Sequence, residues 1–366
     1  MRGAGMRESP LKTAVLGLDE AGRLLLEAAQ GLDYFTIVAV ADGDTNLAQQ
    51  QALLFKCAAY DDYRQLIIQN QLDCLLVAAP LHSCAEYLRT AIKKKFNILK
   101  LPPLARNFSE AAEFVKLAQS EGVSLAVANL GRFAQSTLAM RSFVLQNSAE
   151  QFFFMLAAAS GGPQAKWRND PVLAGGGVVL YDSWDIIDQI TWNFGIPQQV
   201  YCVAGSTATD RQQRLYLTED SAIVTMKFSA CLSGCLLAGR AAPHPFWDPG
   251  LLKSTTAASQ NGCGGKGPQK WLIAHGLDKL VRFDDKSFEV TDSLGQRLRQ
   301  DNFDDDNLGR MKKTLENFGS NILWPDKNPL VSTAADNLKN MAVIEAAYLS
   351  ARTGMPEEPG RILKIA

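Results

Sequence analysis

The stretch Lys166–Asp188, KWRNDPVLAGGGVVLYDSWDIID, holds a dense set of residues able to do chemistry. Gly175, Gly176 and Gly177 carry no side chains, so the backbone there can run close to a ligand and turn sharply. A helix beginning at about Val178 would set Tyr181, Asp185 and Asp188 at i, i+4 and i+7, one row facing one side. A glycine loop delivering a phenol and two carboxylates suits a ligand site. The same row also suits a solvated acidic helix face.

A second set opens the chain. Lys12–Leu18 is a short apolar strand ending in Gly17, EAGRLLLEAA has helical composition, and the apolar run Phe35–Ala41 ends at Asp42. Strand, glycine turn, helix, strand and an acid 20 residues beyond Gly22 make the layout of a dinucleotide-binding βαβ unit. Asp42 would take the ribose hydroxyls of the adenosine. No basic residue follows it in Gly43-Asp44-Thr45-Asn46, so a 2′-phosphate would find no partner and NAD is favoured over NADP.

The glycine fingerprint G-x-G-x-x-G reads Gly17-Leu18-Asp19-Glu20-Ala21-Gly22, with Asp19 where the backbone should approach a pyrophosphate. Two like charges ~4 Å apart repel by roughly 1 kcal/mol in water and ~4 at an effective dielectric of 20. Asp19 is also a good N-cap, placing a carboxylate on the helix terminus that a phosphate would otherwise use.

These residues need a scaffold. Helices near Tyr63–Asn70 and Cys84–Lys94, strands at Asp73–Ala79, Asn97–Lys100 and Ser124–Ala128, and a helix opened by Asn107 with Glu110 as a capping box continue the alternation. Alternation predicts a parallel sheet covered on both faces. Ligands then collect at the strand ends, here Gly17, Asp42, the Ala79-Pro80-Leu81-His82 loop, Lys100–Pro103 and Asn129–Phe133.

From about residue 134 the pattern becomes sheet-rich: Glu150–Ala159, Gln199–Ser206, Ser221–Ser229, Leu232–Arg240, Trp271–Phe283 and Ser287–Thr291 predict about six mostly antiparallel strands. Ser254–Gln269 reads as a loop; its Gly265-Lys266 lacks the Ser or Thr of a phosphate loop. The acidic run Asp301–Asp306 predicts a helix entry, and Thr333–Ser350 a closing amphipathic helix. The expected organisation is a leader at residues 1–10, a nucleotide-binding domain over 11–133, a sheet-rich substrate and oligomerisation domain over 134–332, and a helix and tail over 333–366 that pack back on the core.

At 366 residues, 47% hydrophobic, 20% charged and with a formal net charge of -1, the chain reads as globular with two domains. The longest basic cluster is Lys93-Lys94-Lys95, at a helix end, which argues against nucleic acid. No apolar run approaches the ~20 residues that span a bilayer. The seven cysteines are odd in number and scattered, and Cys231 and Cys235 lack zinc-site spacing, so reduced thiols, no metal and a cytoplasmic address are expected.

Taken together, five stretches resemble the glucose-fructose oxidoreductase / inositol dehydrogenase / MocA (Gfo/Idh/MocA) family: Gly17–Gly22 with Asp42, Val77–Ala105, Gly131-Arg132-Phe133, Trp167–Gly177 and Ile344–Gly354. The resemblance covers nearly the whole chain and implies a Rossmann domain followed by an α/β domain on an open, mostly antiparallel sheet, through which such chains form homo-dimers or homo-tetramers. It implies NAD(P)-linked oxidation or reduction of sugars, cyclitols and related polyols, and adds Trp167, Arg168 and the His82 loop to the cofactor side.

The working residues differ from the pattern. The lysine of the family's Glu-Lys-Pro motif aligns with Pro102, its aspartate with Tyr181 and its histidine with Asp185; the chain's only histidines are His82, His244 and His275. Lys100 lies two residues before Pro102, on the same face of an extended strand. A lysine beside a tyrosine lowers the phenol pKa toward proton donation, so Lys100, Tyr181 and Asp185 form a candidate replacement trio. Two readings remain open: an oxidoreductase with a remodelled site, or a catalytically inactive relative that binds a metabolite or serves as a partner subunit.

Overall fold

The computed structural model describes residues 10–147, 152–161, 165–206, 217–228, 231–240 and 270–365. The leader up to residue 9, the loop expected over Ser254–Gln269, His244 and Cys263 lie outside the described residues. The chain divides into two compact units, residues 1–133 with 305–338, and residues 134–304 with 339–366.

The first unit runs β1 (Leu11–Leu16), α1 (Glu20–Gln30), β2 (Phe35–Ala41), α2 (Thr45–Phe55), β3 (Ala58–Tyr60), α3 (Tyr63–Gln69), β4 (Cys74–Val77), α4 (Leu81–Lys93), β5 (Asn97–Lys100), α5 (Phe108–Glu121) and β6 (Leu125–Val127). The sheet is parallel throughout, in the order β3-β2-β1-β4-β5-β6. Five of the six residues of β1 are buried, as a strand covered on both faces requires. The order reverses between β1 and β4, so the first crossover leaves a crevice at their carboxyl ends. Asn107 caps α5 through the Glu110 amide (2.9 Å), but the Glu110 carboxylate reaches back to the Arg106 amide and guanidinium rather than to Asn107.

The second unit begins with α6 (Gln135–Asn147), β7 (Phe152–Ser160), α7 (Pro171–Ala174) and α8 (Trp184–Phe194). It continues with β8 (Gln199–Gly205), β9 (Ser221–Lys227), β10 (Ser233–Gly239), β11 (Lys270–Gly276), β12 (Lys279–Asp284), β13 (Ser287–Asp292) and β14 (Arg297–Asn302). These strands make an eight-stranded sheet, β14-β13-β12-β11-β7-β10-β9-β8, antiparallel except for the β10–β7 pair. In β9 exposed and buried residues alternate, with Ala222, Val224 and Met226 inward. The sheet has eight strands instead of six because Trp271–Phe283 turns at Leu277-Asp278 and because β14 is almost wholly exposed, leaving no apolar alternation to read.

Two helices follow. α9 (Asn307–Leu323) is capped by Asp306 and belongs to the first unit, where Met311, Leu315 and Phe318 join Leu11, Leu25 and Val40 in one core. This moves residues 305–332 out of the sheet-rich domain to which sequence spacing assigned them. α10 (Ala334–Thr353) closes the periodic sequence, and the division between the units falls within it. Among the described residues no helix is long and apolar enough to cross a membrane. Cys57, Cys74, Cys202, Cys231 and Cys235 are free thiols, and burial pushes Cys57 up to about 11 and Cys202 to about 12.

Candidate functional site

In the first unit the turn after β1 is built on glycine. Gly17 sits at φ +83, and a Cβ on it would lie 2.4 Å from the Ala79 nitrogen. A Cβ on Gly22 would lie 1.9 Å from the Gly17 carbonyl oxygen, so α1 can leave β1 this closely only without a side chain there. Asp42, at the end of β2, accepts from the Leu18 amide (2.7 Å) through one oxygen and from the Asp44 amide (2.9 Å) through the other. A carboxylate offers about four lone-pair sites, so Asp42 braces the turn and retains capacity for hydroxyl donors. Asp44 caps α2 through the Asn46 and Leu47 amides, a second carboxylate two residues beyond Asp42.

Asp19 takes the position its type suggested. Its carboxylate accepts from the Ala21 and Gly22 amides, both at 3.1 Å, and so holds the first donors of α1. On the far side of the crevice Ala79 is buried with its amide donating to Leu16, Pro80 precedes α4, and His82 is exposed in the first turn of that helix. Lys100 ends β5, buried, and its ammonium donates to the Leu101 carbonyl at 2.9 Å.

In the second unit the glycine loop is wrapped around one carboxylate. Glu219 accepts from the Gly177 amide (2.9 Å), the Val179 amide (3.1 Å) and the Tyr348 hydroxyl (2.8 Å), while its backbone carbonyl takes the Val178 amide (3.1 Å). A Cβ on Gly176 would stand 2.1 Å from the Tyr348 oxygen, and one on Gly177 1.9 Å from the Glu219 carbonyl oxygen. Burial raises the Glu219 pKa against the opposing pull of these hydrogen bonds; burial and the nearby Glu219 carboxylate raise that of Tyr348. Neither residue was singled out from sequence as part of the site.

The Tyr181 amide bonds the Gly177 carbonyl, but the Ser183 amide bonds Val178, five residues back, so the i→i−4 ladder does not run on from this turn. Residues 178–183 form turns and α8 starts at Trp184. The expected row of Tyr181, Asp185 and Asp188 on one helix therefore does not form. Tyr181 stands in the turn, its hydroxyl donating to the Ala174 carbonyl at 2.8 Å. Asp188 is fully buried and accepts from the Asn340 side chain at 2.8 Å. Asp185 stays partly exposed.

Around Tyr181 the second unit assembles a polar cluster. Trp167 packs edge-on against the Tyr181 ring, and the Arg168 guanidinium lies 4.6 Å from the centre of that ring. Arg240, on the segment following β10, pairs with Asp182 (3.3 Å) and Asn169 (3.3 Å). Lys270, the first residue of β11, forms an ion pair with Asp185. Burial alone would lower the Lys270 pKa, but Asp185, through charge and hydrogen bond, and then Asp285 and Asp182 outweigh it and raise the value. Nothing in the sequence marked Lys270, 85 residues from its partner.

Comparison with known proteins fits this arrangement. The model of an oxidoreductase family with an NAD-binding Rossmann fold matches residues 11–129, and the C-terminal α/β domain of the same family matches residues 130–238. A dTDP-3,4-didehydro-2,6-dideoxy-alpha-D-glucose 3-reductase from Saccharopolyspora spinosa is 30% identical over 117 residues, covering 32% of this chain and 35% of that protein. The chain thus aligns with about a third of that curated relative. Among solved structures, GenD2 from gentamicin A biosynthesis in complex with NAD is 20% identical, covering 98% of both chains with a TM-score of 0.75. Levoglucosan dehydrogenase in complex with NADH and L-sorbose is 15% identical, covering 96% of this chain and 100% of its own, with a TM-score of 0.78. At such identities the likeness is one of fold. With both family domains matched in succession over more than half of its length, the chain belongs to the Gfo/Idh/MocA family of oxidoreductases.

Proposed function

We propose that the chain is an NAD-linked oxidoreductase acting on a hydroxyl or carbonyl group of a sugar, polyol or similar polar substrate. The observation that carries this reading is the Gly17 turn braced by Asp42, because an acid at the end of β2 whose oxygens are only partly used is suited to the adenosine ribose. In the first unit the residues that would hold the dinucleotide are Gly17, Gly22, Asp42 and the Ala79-Pro80 loop with His82; Trp167 and Arg168 belong to the second unit. Asp42 and Asp44 side by side disfavour a 2′-phosphate, and both GenD2 and levoglucosan dehydrogenase are described with NAD or NADH. When bound, a nicotinamide supplies the hydride chemistry. The chain's own residues bind, orient and move the proton, and the candidates are Lys100, Tyr181 and Asp185.

Asp19 favours a second reading, binding without turnover, since its carboxylate holds the α1 amides that would face a pyrophosphate. Calorimetry with NADH and NADPH separates the two. NADH is expected to bind more tightly than NADPH, and Asp19→Gly to tighten NADH by about tenfold or more, from the removal of roughly 1–4 kcal/mol of repulsion. No heat at millimolar cofactor with either protein sinks the oxidoreductase reading. A homo-oligomer is part of the proposal: Phe154, Tyr201, Val203 and Ile223 line one exposed, apolar face of the eight-stranded sheet.

A further inference from the structure

Of the three cations in the polar cluster of the second unit, two are matched by carboxylates. Arg240 is held by Asp182 at 3.3 Å and Lys270 by Asp185. The third, Arg168, has no ion pair and no side-chain hydrogen bond among the described residues. Asp170, two residues on, spends its carboxylate on the Val172 and Leu173 amides. The Arg168 guanidinium lies over two rings instead, 4.6 Å from the centre of Tyr181 and 5.5 Å from that of Trp167. A ring face attracts the charge but offers no oxygen, so the planar fork keeps its N–H donors for an acceptor from outside. Its mount is firmly held. The Arg168 carbonyl accepts from the Thr218 hydroxyl (2.8 Å), the Asn169 carbonyl takes the Thr218 amide (3.0 Å), and the Asn169 side chain takes Arg240 (3.3 Å). The Tyr181 ring is fixed in turn by its hydroxyl on Ala174 and by the edge of Trp167. An arginine held in this way has already lost much of the side-chain freedom that gripping a ligand would cost.

We propose that Arg168 binds an anionic group of the substrate, and hence that the substrate is a sugar or polyol bearing a carboxylate or a phosphate. The proposal rests on the oxidoreductase reading and narrows its substrate class. Every residue that builds the site, Trp167, Arg168, Asn169, Tyr181 and Thr218, lies in the second unit. A guanidinium meets a carboxylate or a phosphate with two parallel N–H···O bonds, a geometry that a lysine cannot make. Lys166, exposed in the same turn, adds a positive charge that attracts an anion without fixing its orientation. Asp182 and Asp185, already paired with Arg240 and Lys270, repel an arriving anion less than bare carboxylates would.

The test uses the full chain, with Arg168→Gln to remove the charge and Arg168→Lys to keep the charge without the fork. Calorimetry compares D-gluconate, D-glucuronate and D-glucose 6-phosphate with neutral D-glucitol and D-glucose, and measures NADH on all three proteins. At least one anionic sugar is expected to bind wild type about tenfold or more tightly than its neutral counterpart, and which one gains tells carboxylate from phosphate. That preference should vanish in Arg168→Gln and shrink in Arg168→Lys, while NADH affinity stays the same in all three. If no anionic sugar binds more tightly than its neutral counterpart, or if the preference survives Arg168→Gln, the assignment falls. It falls equally if Arg168→Gln weakens NADH as much as the anionic sugar, because the acceptor is then a cofactor phosphate. Should Arg168→Gln fail to fold, Arg168→Lys decides, and a full preference there overturns the bidentate contact. No heat with NADH beside an intact, Arg168-dependent preference marks failure of the oxidoreductase reading alone.

Discussion

Two carboxylates of the same chemistry do different work in this protein because of what they face. Asp42 bridges two amides of different segments; Asp19 satisfies its own helix. Glu219 is a third case, an acid enclosed by amide and phenol donors that fix the glycine loop. Its raised pKa sets a sign. The folded state binds its proton more tightly than the unfolded state, so its stabilising contribution is complete below about 4.5 and is lost as pH rises through the folded value. The difference in melting temperature between wild type and Glu219→Gln, which cannot ionise, should therefore fall as pH is raised from 4.5 toward neutrality. A difference that is flat or grows with pH refutes the assignment. None of this was legible in the sequence, since Glu219 lies 42 residues from the amide it holds and no spacing rule links them.

At the scale of elements, the triple glycine is a packing requirement as much as a route to a ligand. Gly177→Ala should destabilise the second unit by about 1–3 kcal/mol, because the new methyl meets the Glu219 backbone and neither segment can yield alone. Thermal unfolding checks this, and a shift within error would mean that the loop has slack. The sequence identified the loop correctly and misplaced the helix after it, because a hydrophobic period cannot show that the Ser183 amide bonds Val178, five residues back, and that the regular ladder begins only at Trp184. Other elements were missed for simpler reasons. α2 leaves Leu53 and Leu54 exposed, α6 buries Ser136 and Thr137, and β14 has no buried face, so none carries a clean period.

At the scale of the molecule, the first unit is discontinuous. Phe318 is fully buried beside β1 and α1 residues that precede it by some three hundred positions, so Phe318→Ala should remove about 3–5 kcal/mol from that unit in chemical denaturation. A loss under 1 kcal/mol would show that α9 is peripheral to the core. The sequence by itself determined the parallel alternation of the first half, the Gly17–Asp42 turn, the Asp19 cap, the half-buried strands of the second half and the family they resemble. These depend on local spacing, which a chain carries wherever it folds. The tertiary structure alone decided that α9 returns to the first unit, that Glu219 and Tyr348 hold the glycine loop, that Asp188 turns into the core and that Asp185 meets Lys270. Each is a pairing across tens to hundreds of residues, fixed by which buried groups find partners and not by any period along the chain.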